Sequence, residues 1–315
     1  MSQPPPNTST TTEKTFTAYT PEQAKGYVQA RLNYHPNVYQ AVLNHHTSTG
    51  GKLTTLLDIG CGPGLAVRSL APHFQHAIGL DPSQGMITTA RSLDPTSSIR
   101  FEVSTAESLG SDLQKDPVKP GSVDLLVASN AAHWFDLPKF WLAAARILKP
   151  GGTVAFWTSG PIDVHPSMPN AVALQEAMDA HEKKHIEQYY AEGNWHTRDR
   201  YARLVMPWSV DPPVGEFDEG QFVRREWDDE ADGPFFMDEM KALDLDAFEK
   251  AYGSASPYVR WREAHPGDVG TERDTIKILR AEIEKLLWEA GVEKGKERLK
   301  GKVKGVILFV KKNDL

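Results

Sequence analysis

A single cysteine, Cys61, stands in 315 residues. That excludes an intramolecular disulfide and fits a reducing compartment. No apolar run approaches the ~20 residues a membrane helix needs, so no membrane partner is expected. No basic stripe is present either: 35 Lys and Arg stand against 42 Asp and Glu, for a net charge of -7. Nucleic acid is therefore not an expected partner. The opening MSQPPPNTSTTTEKT has no apolar h-region, and no arginine precedes Arg31. Neither a secretory signal nor a transit peptide fits, and a cytoplasmic protein is expected. Ser, Thr and Pro dominate that opening instead, which reads as a disordered tail over 1–15. Repeats are absent, as is any linker long enough to separate independent domains. What is present is globular: 40% hydrophobic and 24% charged residues. A monomer or homodimer is expected.

The pattern is helical from Tyr19 to about His46. Thr20 is placed to cap the first helix, with Pro21 at its first position and Gln23 three residues after the cap. A second helix follows Pro36. Strands and helices then alternate. KLTTLLDI, HAIGLD, IRFEVS, VDLLVAS and TVAFWTS read as strands. LAVRSLAPHF, SQGMITTARSL and LPKFWLAAARIL read as helices, the last stopped by KPGG. Such alternation implies an α/β protein with a parallel sheet covered on both faces. Residues 160–220 break the pattern with helical stretches and Pro-rich breaks, and no strand is expected there. QFVRREW returns to the sheet. A helix over about 271–290 presents Ile276, Leu279, Ile283, Leu286, Leu287 and Ala290 on one face, with Gly291 at its C-terminal stop. The β-branched GVILFVKK closes the chain as a strand. One domain over 16–315 results: N-terminal helices at 16–50, a ligand-binding core at 51–159, a cap insertion at 160–220 and the remainder at 221–315.

The stretch LLDIGCGPGLAVRSL carries the functional signal. A strand ends at Ile59, a helix begins near Leu65, and Gly60, Gly62 and Gly64 lie between. Glycine permits positive φ and lets a ligand touch the backbone. At a strand-to-helix turn this makes a nucleotide-type site at the carboxyl edge of the sheet. Asp81, ending the next strand, is placed to accept both hydroxyls of a ribose. A dinucleotide enzyme would need Gly-x-Gly-x-x-Gly, but the sixth position from Gly60 is Leu65. The observed Gly-x-Gly-x-Gly, with Asp58 two residues ahead, suits a looser loop around an amino-acid tail and a ribose.

LLDIGCGPG, GLDPSQGM and VDLLVASNAAHWFD together resemble the class I S-adenosylmethionine-dependent methyltransferases. The resemblance implies a Rossmann-like, seven-stranded, mostly parallel sheet with the last strand antiparallel, helices on both faces and a helical cap insertion. It implies S-adenosylmethionine as cofactor. Gly60, Gly62 and Gly64 would approach the methionine and ribose parts, and Asp58 would sit near the amino group. Asp81 would bind the ribose, Ser83 and Met86 would flank the adenosine, and Ala106 and Glu107 would lie near the adenine. An acid that many relatives carry near the adenine amine stands here as Thr105. Asn130 would line the methyl-transfer mouth. More narrowly, NAAHWFDLPKFWLAAARILKPGGTVAFW, ARLNYHPNVYQAVLNHH and SPYVRWREAHP resemble the trans-aconitate methyltransferase-like branch found chiefly in fungi. In that branch an Arg-x-x-Tyr pattern covers the cofactor. Here it is Arg31 and Tyr34, with Leu32 where relatives usually have proline, and Tyr27 one turn earlier.

Methyl transfer from a sulfonium needs an acceptor held in line and shielded from water, with no metal. A carboxylate is already ionised near pH 7 and needs no base, whereas a hydroxyl needs one, most often His. His133 and Trp134, just past the fourth strand, are the candidates to orient an acceptor, serve as base or wall the pocket. The expected activity is methylation of a small molecule on a carboxylate. The alternatives are a secondary-metabolite hydroxyl, a non-catalytic cofactor-binding protein and a nicotinamide dehydrogenase, the last disfavoured by the failed glycine pattern. Trp157, Trp195, His196, Arg198, Arg200, Arg203, Arg260 and Trp261 are assigned to the cap, and Trp208, Trp227 and Trp288 to the core. HEKKH, His181 to His185, matches a zinc-hydrolase pattern but lacks a third ligand at a familiar distance, so a solvated helix is expected. His45 and His46 end a helix. Cys61 fills space in the glycine turn. RLKGKVKG reads as a solvated turn before the last strand.

Overall fold

The computed structural model describes residues 33–237 and 242–314. The expected tail, the first helix, Tyr27 and Arg31 lie outside these residues. Helix α1 (Pro36–Ser48) starts where His35 offers its ring nitrogen to the Asn37 amide and Pro36 takes the first turn. It buries Val38, Tyr39, Val42 and Leu43 on the sheet. Then follow β1 (Thr55–Ile59), α2 (Leu65–Leu70), β2 (His76–Asp81), α3 (Gln84–Ser92), β3 (Arg100–Val103), β4 (Val123–Ser129), α4 (Leu137–Ile147) and β5 (Leu148–Thr158). The rest comprises β6 (Ile162–Val164), α5 (Ala171–His181), α6 (Glu192–Arg198), β7 (Val223–Asp228), β8 (Leu243–Asp244), α7 (Leu245–Gly253), α8 (Ser256–Ala264), α9 (Thr275–Glu289), β9 (Arg298–Leu299) and β10 (Gly301–Lys311).

The sheet runs β3-β2-β1-β4-β5-β10, with β7 on the far side of β10. Strands β1 to β5 are mutually parallel. β10 is antiparallel to both β5 and β7. This is the Rossmann-like α/β sheet with its last strand antiparallel. The order reverses between β1 and β4, and that switch point is where open α/β sheets bind ligands.

Several expectations are corrected. Ile162–Val164, in the stretch read as strandless, pairs with Gly301–Val303. RLKGKVKG is no turn: it forms β9 and the first residues of β10. Trp157 belongs to β5 rather than the cap. Trp288 is 37% exposed, covered by the Lys294 ammonium, and Trp208 is half-buried. Ala290 is exposed as the C-cap of α9, and Gly291 follows with φ 87°. Trp227 is in the core as expected.

Each sheet face has its own core. Phe140, Trp141 and Phe156 pack with Tyr201 and Phe217 on one face. Val38, Tyr39, Leu56, Leu125, Trp157 and Ile307 pack on the other. Each such fully buried side chain contributes about 1.5–3 kcal/mol over exposure. The Trp141 indole donates to the Val205 carbonyl at 2.9 Å, tying the inserted segment to α4. A third cluster joins Leu174, Met178, Phe248, Trp261, Leu279, Ile283 and Leu287 from α5, α7, α8 and α9. This helical layer therefore draws on chain well beyond residue 220. Among the described residues no helix is long and apolar enough to cross a membrane.

Candidate functional site

The three glycines all have positive φ: 66° at Gly60, 54° at Gly62 and 85° at Gly64. Their surroundings give them different tasks. A Cβ at Gly60 would lie 2.7 Å from the Ala131 Cβ, and one at Gly64 would lie 2.8 Å from the Phe101 ring. A Cβ at Gly62 would have no neighbour within 4 Å among the described residues. The first and third glycines are thus demanded by packing. The middle one leaves an open cradle of bare backbone at the switch point.

Asp81 holds the turn. Its carboxylate accepts from the Gly62 amide at 2.9 Å and from the Ser83 amide at 2.8 Å. Burial raises its pKa from 3.8 to about 6, against the pull of those two amides. A carboxylate offers about four lone-pair sites, so capacity remains for a hydroxylated ligand. Ser83 caps α3 by accepting from the Met86 amide at 3.3 Å, and both side chains are buried. Ala106 is buried, and its neighbour Glu107 accepts from the Asp136 amide at 3.0 Å ahead of α4. Asn130 has φ 50°, donates its amide to the Trp157 carbonyl at 2.8 Å, and accepts the Thr158 hydroxyl at 2.8 Å.

Asp58 lies behind the turn, both carboxylate oxygens buried and without a hydrogen-bond partner among the described residues. Burial pushes its pKa well above the usual carboxylate range and the Asp81 charge adds to that, while the nearby Val67 amide opposes it without completing a hydrogen bond to either oxygen. Register places Asp58 beside Val127 of β4, on the face that also carries Trp157. The Trp157 indole nitrogen is likewise buried without a partner among these residues. Its ring meets Tyr34 and Tyr39 edge-on, at centroid distances of 5.8 and 6.3 Å. A buried acceptor and a buried donor without partners are costly in isolation and point to a ligand that supplies both complements.

His133 and Trp134 sit in the turn between β4 and α4, their rings 4.6 Å apart. His133 is buried, and its Nδ1 lies 2.9 Å from the Tyr201 hydroxyl. α6 packs directly onto this turn, because a Cβ at Gly193 would come within 2.6 Å of the His133 carbonyl and the Trp134 ring. Tyr201 was not legible in the sequence. It and Arg200 take left-handed φ values of 62° and 50°, yet neither glycine nor asparagine marks the turn. Trp157 was assigned to the cap, although alternation in TVAFWTS, itself read as a strand, puts it on the face of Ala155.

The cap arginines are occupied elsewhere. Arg198 pairs with Glu182 at 2.7 Å, Arg200 with Glu226 at 3.3 Å and Arg203 with Asp199 at 2.5 Å. Arg260 donates to the Tyr189 carbonyl and to Asn194. Trp195 rests on Tyr190, and Trp261 stacks on His265. His181 is buried just ahead of the π-helical turn Glu182–Ile186, which contains His185; burial lowers the His181 pKa to about 4, and its Nε2 lies 3.1 Å from the Thr275 hydroxyl. Among the described residues no group of three or more His, Cys, Asp or Glu is arranged to hold a metal ion. Cys61 is buried and its thiol pKa is raised, which makes it unreactive.

Residues 57–156 match a family described as a methyltransferase domain. A Dictyostelium discoideum protein proposed as a methyltransferase is 31% identical over 185 residues, 58% of this chain and 63% of its own length. A Saccharomyces cerevisiae protein proposed as an S-adenosylmethionine-dependent methyltransferase is 30% identical over 131 residues, 42% of this chain and 43% of its own. Methyltransferase ptaI of Pestalotiopsis fici is 32% identical over 145 residues, 44% of this chain and 43% of its own. The match thus spans less than two thirds of each relative. A solved structure from Anaeromyxobacter dehalogenans, proposed as a type II methyltransferase, superposes with TM-score 0.56 at 22% identity, covering 90% of this chain and 97% of its own. It shares the fold.

Proposed function

We propose, from the premise that residues 57–156 form a methyltransferase domain of the class I S-adenosylmethionine-dependent kind, that the whole protein is an enzyme methylating a carboxylate of a small molecule. Bound S-adenosylmethionine would supply a methyl group on a sulfonium, open to in-line displacement with the bonding electrons left on a neutral sulfur. Asp58 pairs with the cofactor's ammonium, and Gly60, Gly62 and Gly64 bring bare backbone to its methionine and ribose parts. Asp81 accepts the ribose hydroxyls while still holding the turn. Ser83 and Met86 flank the adenosine, Ala106 and Glu107 lie at the adenine, and Asn130 lines the mouth. Tyr27 and Arg31, outside the described residues, belong to the cofactor-binding set in this reading. His133 and Trp134 face the acceptor.

One observation carries the cofactor part of this reading: the buried, unpartnered carboxylate of Asp58, two residues ahead of the glycine turn whose Gly62 has an open face. An ammonium there converts an uncompensated buried acid into a paired one. The test is calorimetry with S-adenosylmethionine and S-adenosylhomocysteine, followed by labelled-methyl transfer to a panel of small acids and phenols. Micromolar binding, with label in an acid as a base-labile ester, is expected. Label in a phenol as a base-stable ether would move the acceptor to a hydroxyl. Absence of binding would overturn the cofactor assignment.

A further inference from the structure

We infer that cofactor binding is coupled to proton release: Asp58 is a neutral acid in the ligand-free protein and gives its proton to solvent when the cofactor's ammonium arrives. The inference rests on the pairing of Asp58 with that ammonium, proposed above.

Two carboxyl groups share the glycine turn. β1 and β2 pair with Asp58 opposite Gly79, so Asp81, two residues further along β2, lies on the same face. Both are buried, Asp58 completely. Neighbouring buried carboxyls resist sharing two charges, and one of them keeps a proton. Hydrogen bonding decides which. Asp81 accepts the Gly62 and Ser83 amides at 2.9 and 2.8 Å, and such donors favour its ionised form. Neither oxygen of Asp58 accepts a hydrogen bond among the described residues. The other titratable groups packed about the turn direct their donors elsewhere. The Tyr39 hydroxyl of α1 donates to Asn33 at 2.9 Å, the Cys61 thiol lies against the Gly62 carbonyl, and the Arg68 guanidinium of α2 donates to the Pro63 carbonyl at 2.7 Å. β4 offers only the apolar Val127 beside Asp58. A buried carboxylate with neither a donor nor a cation is too costly to stay ionised, so Asp58 carries the proton. The upward shift of its pKa agrees.

The ligand reverses this balance. An ammonium in contact favours the carboxylate, so the Asp58 O–H bond breaks, its electron pair stays on oxygen, and the proton leaves to solvent as the ion pair forms. The site takes in one positive charge and discharges another. Around pH 7 Asp81, with its pKa of about 6, is already ionised, so the released proton comes from Asp58. Affinity then rises about ten-fold per pH unit, as linkage requires for one proton lost. Near pH 9 a ligand amino group of ordinary pKa ~8 arrives neutral and takes the Asp58 proton itself, and nothing reaches the solvent.

The test is calorimetry with S-adenosylhomocysteine at pH 7 in buffers of different ionisation enthalpy, which counts protons directly. Carboxyl-carbon NMR of the ligand-free chain labelled at aspartate accompanies it, with Asp58→Asn assigning the signal. The expected result is a protonated Asp58 carboxyl without ligand and close to one proton released per ligand bound. Asp58→Asn should bind at least ten-fold more weakly and release none. 5′-Methylthioadenosine, which keeps the ribose and adenine but has no ammonium, should release little from the wild type. An ionised Asp58 in the ligand-free spectrum would overturn the inference, as would binding of S-adenosylhomocysteine without proton release. Equal release with the two ligands would overturn it as well, and that comparison needs no variant. A failure to bind either S-adenosyl ligand would instead sink the methyl-transfer reading, and this coupling with it.

Discussion

At the scale of single residues, the glycine turn separates two kinds of glycine that spacing alone cannot. Gly62→Ala adds a methyl group to open space, so its folding cost is the left-handed backbone alone, ~1–2 kcal/mol. That methyl fills the cradle, and a ten-fold or greater loss of S-adenosylmethionine affinity is expected in calorimetry. Gly60→Ala meets the Ala131 side chain at 2.7 Å and adds a packing penalty, so its thermal midpoint should fall further than that of Gly62→Ala. Equal midpoints for the two variants would refute the distinction. Asp81 makes a second prediction through pH. Its folded pKa of about 6 stands above its ordinary 3.8, so the folded ligand-free protein holds the proton more tightly than the unfolded chain. Stability from this group is full below 3.8 and is lost as pH rises through 6. Between pH 4 and 8 the wild type should lose about 2 kcal/mol that Asp81→Asn does not, read by urea unfolding of both proteins. A gap that stays constant with pH would remove Asp81 as the titrating group. Asp58, the three glycines and Asp81 were legible because each lies within a few residues of a strand end. Tyr201 was not, because its partner His133 is 68 residues away.

At the scale of elements, the strand–helix alternation from β1 to β5 was legible because apolar periodicity and turn residues agree there. β6 was missed because three residues carry no period. The head of β10 was misread because its lysines suggested a solvated turn, although Lys302, Val303 and Lys304 alternate in the manner of a strand with one wet face. β10 also shows how distant segments fix the site. Gly305 lies beneath Phe235: a Cβ there would come within 2.2 Å of the ring. The Phe235 carbonyl accepts the His35 amide at 2.9 Å, and the Met237 amide donates to the Asn33 carbonyl at 2.8 Å. Residues 235–237 therefore anchor the approach to α1 and, with it, Tyr34 and Tyr39 against Trp157. Gly305→Ala should displace Phe235, cost about 1–3 kcal/mol by overpacking, and weaken cofactor binding from outside the turn. Chemical denaturation and calorimetry read the two effects. Unaltered affinity alongside lost stability would uncouple this anchor from the cofactor site.

At the scale of the whole molecule, the sheet brings the carboxyl ends of β1 and β4 to one switch point, and a helical layer with a separate core stands beside it. The sequence marked the layer only as a stretch where strands stop. Its closure by α7, α8 and α9 was hidden, because amphipathic helices announce a buried face without naming what covers it. That arrangement makes the layer a candidate cooperative unit distinct from the sheet. Ile283 lies at its centre, fully buried among Leu174, Phe248 and Leu279. Ile283→Ala should cost about 2–5 kcal/mol, as truncation of a buried aliphatic does when the cavity cannot collapse. Hydrogen exchange should then show protection falling across α5, α7, α8 and α9 while β1, β4 and β5 keep theirs. The layer leads through α6 into Tyr201, whereas the turn held by Asp81 belongs wholly to the sheet. The same variant should therefore slow methyl transfer to an acid while leaving S-adenosylmethionine affinity close to wild type. Uniform loss of protection, with cofactor affinity falling in step, would mean that sheet and layer unfold as one body and that acceptor and cofactor sites share a single stability.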